Sequence, residues 1–139
     1  MTLFRKFFAV VVMSLTANVA FADVITERQE NFSASGKALR IIGQSIGSGD
    51  YASVNEEALK LAKWADMIPE YFPEGSESPK ASPAIWQNFA LFTQFSNDFG
   101  AAARALSEAS ASGDASLMKA KLGEVGATCK QCHRQFKQR

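Results

Sequence analysis

Apolar residues recur at helical spacing in four separate segments of the chain. In the first segment, residues 24–46, they follow a heptad: Ile25, Phe32, Leu39 and Ile46. This spacing predicts a long amphipathic helix. Thr26 and Gln29 form a capping-box pattern, but Ile25 before them already fits the stripe, so the pattern places the start only to within one turn. Residues 47–50, Gly-Ser-Gly-Asp, then predict a break.

The second segment begins with another capping-box pattern, Ser53 with Glu56. Apolar residues then recur every three or four positions as far as Phe72, which predicts a second helix. Pro69 falls late in this row and should end or bend the helix, and Pro73 should stop any continuation. Residues 73–81 are polar and rich in helix breakers, so they are interpreted as a surface loop.

The third and fourth segments complete the pattern. Ser82 and Pro83 are a typical N-cap and first-turn pair for a third helix with a stripe of apolar, largely aromatic residues: Ile85, Phe89, Phe92, Phe99, Ala103 and Leu106, with Trp86 and Phe95 beside it. Asp114, after a Ser-Gly turn, can cap a fourth helix whose inward row is Leu117, Leu122, Val125, Cys129, Cys132 and Phe136. Four helices with short connections predict an all-α, antiparallel up-down-up-down four-helix bundle.

The fourth helix ends with Cys129-Lys130-Gln131-Cys132-His133, a C-x-x-C-H motif typical of covalent attachment of c-type haem. Two thiols three residues apart share a helix face and can both form thioethers with one porphyrin, and the adjacent imidazole can bind the iron. A thioredoxin-type motif would open a helix after a strand, and a structural zinc site would need four ligands. A plain disulfide between the two cysteines remains the alternative.

Residues 1–22 have the features of a secretory signal peptide. Arg5 and Lys6 precede an apolar run over residues 7–15, too short to span a bilayer, and Ala20-Phe21-Ala22 is a small-x-small cleavage site. Cleavage after Ala22 would leave one domain, residues 23–139, and an uncleaved membrane anchor is the alternative. The leader holds two of the 15 basic and none of the 14 acidic residues, so the mature charge is 13 minus 14, or −1. That balance does not favour nucleic acid or an anionic membrane as a partner.

The mature sequence resembles the class II c-type cytochromes, and among them the cytochrome c′ family. The matching strings cover essentially the whole mature chain: Glu27-Arg28-Gln29, Ile68-Pro69 with Phe72-Pro73, Ile85-Trp86, and Gly123-Glu-Val-Gly-Ala-Thr-Cys-Lys-Gln-Cys-His133. The resemblance implies one haem c, bound through Cys129 and Cys132, with His133 as the proximal iron ligand. It also implies a periplasmic location, because covalent haem attachment in bacteria takes place outside the cytoplasm.

Four further residues are expected at the haem. Arg28 and Gln29 occupy the propionate-binding positions of the family, although the head of Arg28 could instead reach solvent while its stem packs. Lys137 matches a usually basic position near the proximal side, with a surface lysine that suits the helix dipole as the alternative. Trp86 and the Phe-rich stripe could form apolar walls around the porphyrin, or simply belong to the core.

The position opposite His133 decides the expected function. No other His occurs in the chain, and Met118 lies about 22 Å away along the same helix, which leaves Met67 as a possible second ligand. Low-spin class II relatives carry a Met where this chain has Phe32. The resemblance therefore implies a five-coordinate, high-spin haem that binds small gases such as NO and CO.

A periplasmic electron carrier with a redox partner protein is the alternative function. A peroxidase-like enzyme is disfavoured, because the sequence offers no distal His/Arg pair to polarise peroxide. Cytochrome c′ proteins often form homodimers through helices one and two, and the first helix here has spare apolar residues such as Ile41. We therefore expect a dimeric, non-enzymatic haem protein that is free of the membrane once its leader is removed.

Overall fold

Four long helices form the protein. The structure is a computed structural model that describes the backbone of residues 8–138 and the side chains of residues 21–138. The helices are α1 (Phe8–Ser48), α2 (Tyr51–Met67), a one-turn α3 (Ala84–Gln87), α4 (Phe89–Ser110) and α5 (Ala115–Phe136), with a 3₁₀ turn at Ile68–Tyr71. Within the described residues, the predicted all-α four-helix bundle is confirmed.

The four long helices enclose one apolar core. Helix α2 packs most extensively against α4, α4 against α5, and α1 against α2 and, less extensively, α5. Tight turns containing Gly49 and Gly113 join α1 to α2 and α4 to α5, and both glycines adopt positive φ angles, +81° and +71°. That backbone conformation is open to glycine at little steric cost, so these turns can reverse the chain within two to four residues.

Helix α1 ends at Ser48, where the Gly-rich break was predicted, but it begins earlier than the apolar pattern indicated. The capping box at Thr26 is wrong: Thr26 lies inside the helix, and its Oγ1 donates to the carbonyl of Ala22 at 3.0 Å. The helical backbone runs through the predicted cleavage site, and residues 1–7 and the side chains of residues 8–20 lie outside the described part. Leader cleavage therefore stays a prediction. Among the described residues, no helix is both long and apolar enough to cross a membrane.

Helix α2 also starts before its predicted cap. Asp50, not Ser53, is the N-cap, because Asp50 accepts hydrogen bonds from both the backbone N–H and the hydroxyl of Ser53, at 3.1 and 2.6 Å. The far end agrees with the prediction: α2 gives way at Met67 to the 3₁₀ turn that contains Pro69. Proline cannot continue the regular helical hydrogen bonding, and this fixes where the chain leaves the bundle.

The predicted third helix is divided in two. Pro83, not Ser82, is the N-cap of the short α3, although Ser82 Oγ accepts from Ala84 N at 3.2 Å. Asn88 then leaves the helical conformation, and its side chain caps α4 by accepting from Leu91 N. Phe89, placed on the inward stripe by its spacing, is consequently 38% exposed. In α5, Leu117 is likewise exposed, and the neighbouring Met118 is buried in its place.

The segment between the 3₁₀ turn and α3 is more than a surface loop. Ser76 and Ala81 within it are buried, although most of its other residues are exposed. Two backbone hydrogen bonds tie its end to the C-terminus of α5, from Ser82 N to the Phe136 carbonyl at 2.9 Å and from Gln138 N to the Lys80 carbonyl at 3.1 Å. The loop therefore closes over the end of α5 that carries the cysteine motif.

Candidate functional site

An apolar cavity of about 470 Å³ opens between α1, α4, α5 and the loop that follows the 3₁₀ turn. The large hydrophobic side chains that line it are Phe32, Leu39, Ile68, Phe72, Ile85, Phe92, Phe95, Phe99 and Phe136, and its surface is mostly apolar. Several of these rings meet edge to face, for example Phe92 with Phe72 and with Phe136, at centroid distances of 4.8 and 5.4 Å. The wall is thus a firm aromatic surface suited to a flat apolar ligand.

The complete C-x-x-C-H motif faces this cavity, since Cys129, Cys132 and His133 all line it. Both cysteines are half-buried, and no disulfide joins them. Burial raises the pKa of Cys129 and raises the pKa of Cys132 to about 11, so both are neutral thiols near pH 7. This argues against a thioredoxin-type site, which depends on a lowered thiol pKa.

His133 is biased towards its neutral form. Partial desolvation and, to a lesser extent, the positive charge of Lys137 lower the pKa of its imidazole. A neutral imidazole has the lone pair that a metal ion needs. Among the described residues, no cluster of three or more His, Cys, Asp or Glu could hold a metal ion without a cofactor.

The donor set and the cavity together fit a haem. The volume lies within the usual range of cofactor pockets, about 300–1,000 Å³. Two thiols with the correct spacing and one imidazole stand on a single helix at its edge, and the Phe-rich wall faces them. A porphyrin requires this combination of covalent anchors, one axial ligand and an apolar enclosure.

Phe32 lines the cavity from α1 and is 37% exposed. Its ring meets the ring of Trp64 on α2 edge to face, with centroids 5.3 Å apart, and the ring of Phe72 at 6.3 Å. The two methionines whose side chains the structure describes, Met67 and Met118, are not among the cavity-lining residues. Within the described side chains, His133 is therefore the one imidazole or thioether group that lines the cavity.

Arg28 and Gln29 both line the cavity, but Arg28 is also engaged elsewhere. Its side chain is 2% exposed, so the alternative of a head group in solvent is wrong. One terminal nitrogen donates to the Tyr71 carbonyl and Ser76 Oγ at 3.1 and 2.9 Å, and the other donates to the Ser76 carbonyl and Ser78 Oγ at 2.6 and 3.2 Å. Arg28 thereby ties α1 to the loop.

Trp86 lies outside the residues that line the cavity. Its indole N–H donates to the carbonyls of Phe72 and Pro73, at 3.1 and 3.0 Å. Trp86 therefore holds the start of the loop, and its position does not support the expected direct contact with the cofactor.

Lys137 does line the cavity, and it also borders a shallow neighbouring groove that contains three other cationic side chains, Lys80, Lys130 and Arg134, together with His133. The surface beside the motif is therefore strongly basic.

Sequence reasoning missed several residues of the site. Ser76 and Ser78 hold Arg28, and Ser96 lines the cavity while its hydroxyl donates to the Ala65 carbonyl at 2.5 Å. Their partners lie 31 to 50 positions away in the chain. Serine is common in loops and on polar helix faces, so no local signal singles these three out.

Comparison with known proteins agrees with this site. The cytochrome c′ family model matches residues 23–137. The cytochrome c′ of Rhodospirillum rubrum is 33% identical over 122 residues, which are 84% of this chain and 82% of that protein. A cytochrome c′ structure described by its ligand-controlled dimer dissociation has a TM-score of 0.78 at 26% identity, over 84% of this chain and 95% of that one. A nitric oxide complex of a point mutant of cytochrome c prime from Alcaligenes xylosoxidans has a TM-score of 0.77 at 25% identity, over 86% and 97% of the two chains. The chain therefore belongs to the cytochrome c′ family of haem proteins.

Proposed function

We propose that this protein binds small diatomic gases, NO and CO, at a five-coordinate, high-spin haem c. Cys129 and Cys132 would carry the haem as thioethers, and His133 would be its proximal ligand. The observation that carries the proposal is the composition of the cavity wall: Phe32 lines the same cavity as the motif, and the lining residues include no Met and no His besides His133. When bound, the haem iron supplies the atom to which a gas molecule coordinates.

Phe32 would select what reaches the iron. Its ring offers neither a ligand atom nor a hydrogen-bond donor, so water and anions would lose hydrogen bonds on entry and gain none. A small uncharged diatomic molecule pays no such cost and must only displace the ring. The aromatic wall around Phe32 supports this selection, because it keeps the cavity apolar.

The polar residues at the cavity edge would orient the haem. Gln29 lines the cavity, and both terminal nitrogens of Arg28 donate to the loop, which leaves its Nε–H as the donor for a haem propionate. Lys137 would provide a positive charge on the proximal side. We therefore assign the propionates to the edge near Arg28 and Gln29.

We further propose that the mature protein is a periplasmic homodimer that pairs through α1 and α2. Exposed large apolar residues on these helices support this surface: Ile41 on α1 and Leu59 on α2 are 41% and 49% exposed. Two relatives carry related behaviour in their descriptions, a nitric oxide complex and a ligand-controlled dimer dissociation. Sedimentation of the haem-loaded protein at micromolar concentration tests the dimer, and a monomer would contradict it.

The gas-binding proposal is tested by absorption and electron paramagnetic resonance spectra of the exported holoprotein, ferric and ferrous, with and without NO. We expect a high-spin spectrum that converts on addition of NO. A low-spin spectrum indifferent to NO would contradict the proposal, because it would require a sixth ligand from the protein.

Two substitutions locate the open position. Phe32→Met places a thioether on the cavity wall and should convert the spectrum to low spin. Phe89→Met is the matched control, since Phe89 is 38% exposed but does not line the cavity, and it should leave the spectrum high-spin. If both variants stay high-spin, Phe32 does not stand over the iron.

Electron transfer is the second candidate function, and the basic groove beside the motif favours it. Lys80, Lys130, Arg134 and Lys137 surround the edge where His133 lies, and this suits docking of an acidic redox partner. A carrier would be expected to keep its iron six-coordinate in both oxidation states. The same spectra therefore separate the two functions.

A further inference from the structure

Trp64 is a buried aromatic residue whose role the haem site leaves unexplained. It is 6% exposed, and in the described part of the chain its indole Nε1 is the one buried side-chain nitrogen or oxygen without a hydrogen-bond partner. Buried donors nearly always find partners, so an unpaired one calls for an explanation. A phenylalanine at this position would fill most of the space without that cost.

The ring of Trp64 contacts Phe32 rather than the cavity. Trp64 is not among the cavity-lining residues, but its ring meets that of Phe32 at 5.3 Å with an interplanar angle of 84°. On another side, Tyr71 lies 5.1 Å away, also edge to face. Two aromatic rings thus contact the indole in the edge-to-face arrangement that aromatic pairs prefer.

Phe32 needs such a support. A side chain that is 37% exposed is not fixed by burial, and its position depends on the rings beside it. The structure gives it two aromatic neighbours, Trp64 and Phe72. Trp64 is the nearer of the two, and unlike Phe72 it does not line the cavity, so its contact with Phe32 lies outside the cavity wall.

Trp64 itself cannot easily retreat, because α2 is closely held to α4 at the adjacent residue. The Ala65 carbonyl accepts a hydrogen bond of 2.5 Å from Ser96, which is buried. Helix α4 also approaches Ala65 at Gly100, where an added Cβ would lie 3.3 Å from the Ala65 Cβ. The backbone that carries Trp64 is therefore rigid.

We propose that Trp64 is a positioning residue that holds the Phe32 ring over the distal site and thereby sets how readily a gas molecule enters. This inference rests on the proposed function, since it assumes that Phe32 stands over the iron. Trp64 acts through Phe32 and touches neither the haem nor the gas.

The test is the rate of CO association to the ferrous holoprotein after flash photolysis. Trp64→Leu removes the ring that supports Phe32, and we expect the association rate to rise about two- to twelvefold, the ratio that corresponds to loss of one edge-to-face aromatic pair. Trp64→Phe keeps one ring and should raise the rate about two- to threefold, which tests the same idea if the leucine variant does not fold. The control is Leu106→Ala, because Leu106 is fully buried in α4 and does not line the cavity. It should lower stability and leave the rate unchanged.

A double-mutant cycle separates positioning from a general loosening of the core. In a Phe32→Ala background, either Trp64 substitution should have no further effect on the CO rate, because the ring on which Trp64 acts is gone. The proposal is overturned if the Trp64 variants keep the wild-type rate, or if they accelerate binding equally with and without Phe32. A wild-type protein that binds no CO would instead overturn the proposed function.

Discussion

Arg28 allows a sharp test of how the loop is held against the bundle. Its guanidinium is buried, its terminal nitrogens donate four hydrogen bonds, and it lies 4.3 Å from the centroid of the Phe72 ring. Among the described residues it has no salt-bridge partner within 4.0 Å, whereas Arg104 makes a two-pronged ion pair with Asp66 at 3.1–3.2 Å. Counting ion pairs would rank Arg104 as the more important of the two.

Burial reverses that ranking. Arg28→Met keeps an apolar stem of similar length but leaves the carbonyls of Tyr71 and Ser76 without their Arg28 donor, and Ser76 is 0% exposed. The Ser76 hydroxyl keeps its own hydrogen bond to the Pro73 carbonyl. Each buried polar group left unpaired costs about 1–3 kcal/mol. Part of this loss of stability is offset because the methionine variant no longer buries a charge. In the wild type, burial of that charge is unfavourable, as the lowered pKa of Arg28 indicates. We expect a net loss of about 2–4 kcal/mol, out of a typical total of about 5–15 kcal/mol.

The matched control is Arg104→Met, which breaks an exposed ion pair and should cost less than about 1 kcal/mol. The assay is urea unfolding of the haem-loaded protein followed by circular dichroism, with the free energy taken from midpoints at equal slope. The free energy of unfolding of Arg28→Lys should lie between those of the wild type and Arg28→Met. A lysine ammonium keeps the charge, but it cannot reach all the acceptors that the two terminal nitrogens of a planar guanidinium reach. Equal losses for Arg28→Met and Arg104→Met would show that burial does not make the Arg28 contacts the stronger ones.

Two further predictions concern helix α5 and the start of α2. Gly123 and Gly126 have no atom within 4 Å of an added Cβ. Gly123→Ala should therefore stabilise the fold by about 1 kcal/mol, measured as a higher thermal midpoint. Gly126→Ala should do the same unless its methyl group obstructs the porphyrin, in which case the yield of covalently bound haem falls. Hydrogen bonds from Ser53 lower the pKa of Asp50 in the folded protein. The ionised cap therefore stabilises the fold at pH values above the pKa of Asp50 in the unfolded chain, about 4. This stabilisation is lost as the pH falls through the lower pKa of Asp50 in the folded protein. Asp50→Asn should therefore weaken the pH dependence of stability below pH 5, measured by thermal unfolding across pH 2–6, and an unchanged dependence would contradict this assignment.

The sequence predicts the helices and the haem-attachment motif because both depend on residues that are close together in the chain. The heptad over residues 24–46 and Pro69 act within a few residues of their own position, and the structure agrees with them. Where two local signals compete, the pattern does not decide between them. Asp50 and Ser53 are both good N-caps three residues apart, and the helix begins at the earlier one because Asp50 accepts both hydrogen bonds from Ser53.

The division of the third helix shows the same limitation. Asn88 lies within a stretch where apolar residues recur at helical spacing, and its neighbour Phe89 fits that spacing. This spacing predicts one helix. In the structure the side chain of Asn88 caps a new helix, and Phe89 at its start is exposed. Asparagine competes for backbone hydrogen bonds, so it can end one helix and start the next without a proline or glycine.

The walls of the site could not be predicted in this way, because they are made by contacts between distant segments. Arg28 meets acceptors 43 to 50 positions away, and the choice between solvent, loop and propionate depends on how the loop folds back. Trp64 gives no sequence signal at all. It lies beside the apolar row of α2 as an ordinary core residue would, and its role emerges from its contact with Phe32 on another helix.

Phe72 connects the stability of the loop to the distal site. Its ring receives the guanidinium of Arg28 on one side and meets Phe32 at 6.3 Å, so one residue belongs both to the loop clamp and to the support of the distal ring. Loosening the clamp should therefore free Phe32 as well as lower stability, whereas Leu106→Ala lowers stability alone. For this reason Arg28→Met should accelerate CO binding although the hydrogen bonds of Arg28 go to Tyr71, Ser76 and Ser78 and none goes to Phe32. Control of gas entry is in this view a property of the packed aromatic cluster, held from α2 by Trp64 and from the loop by Arg28.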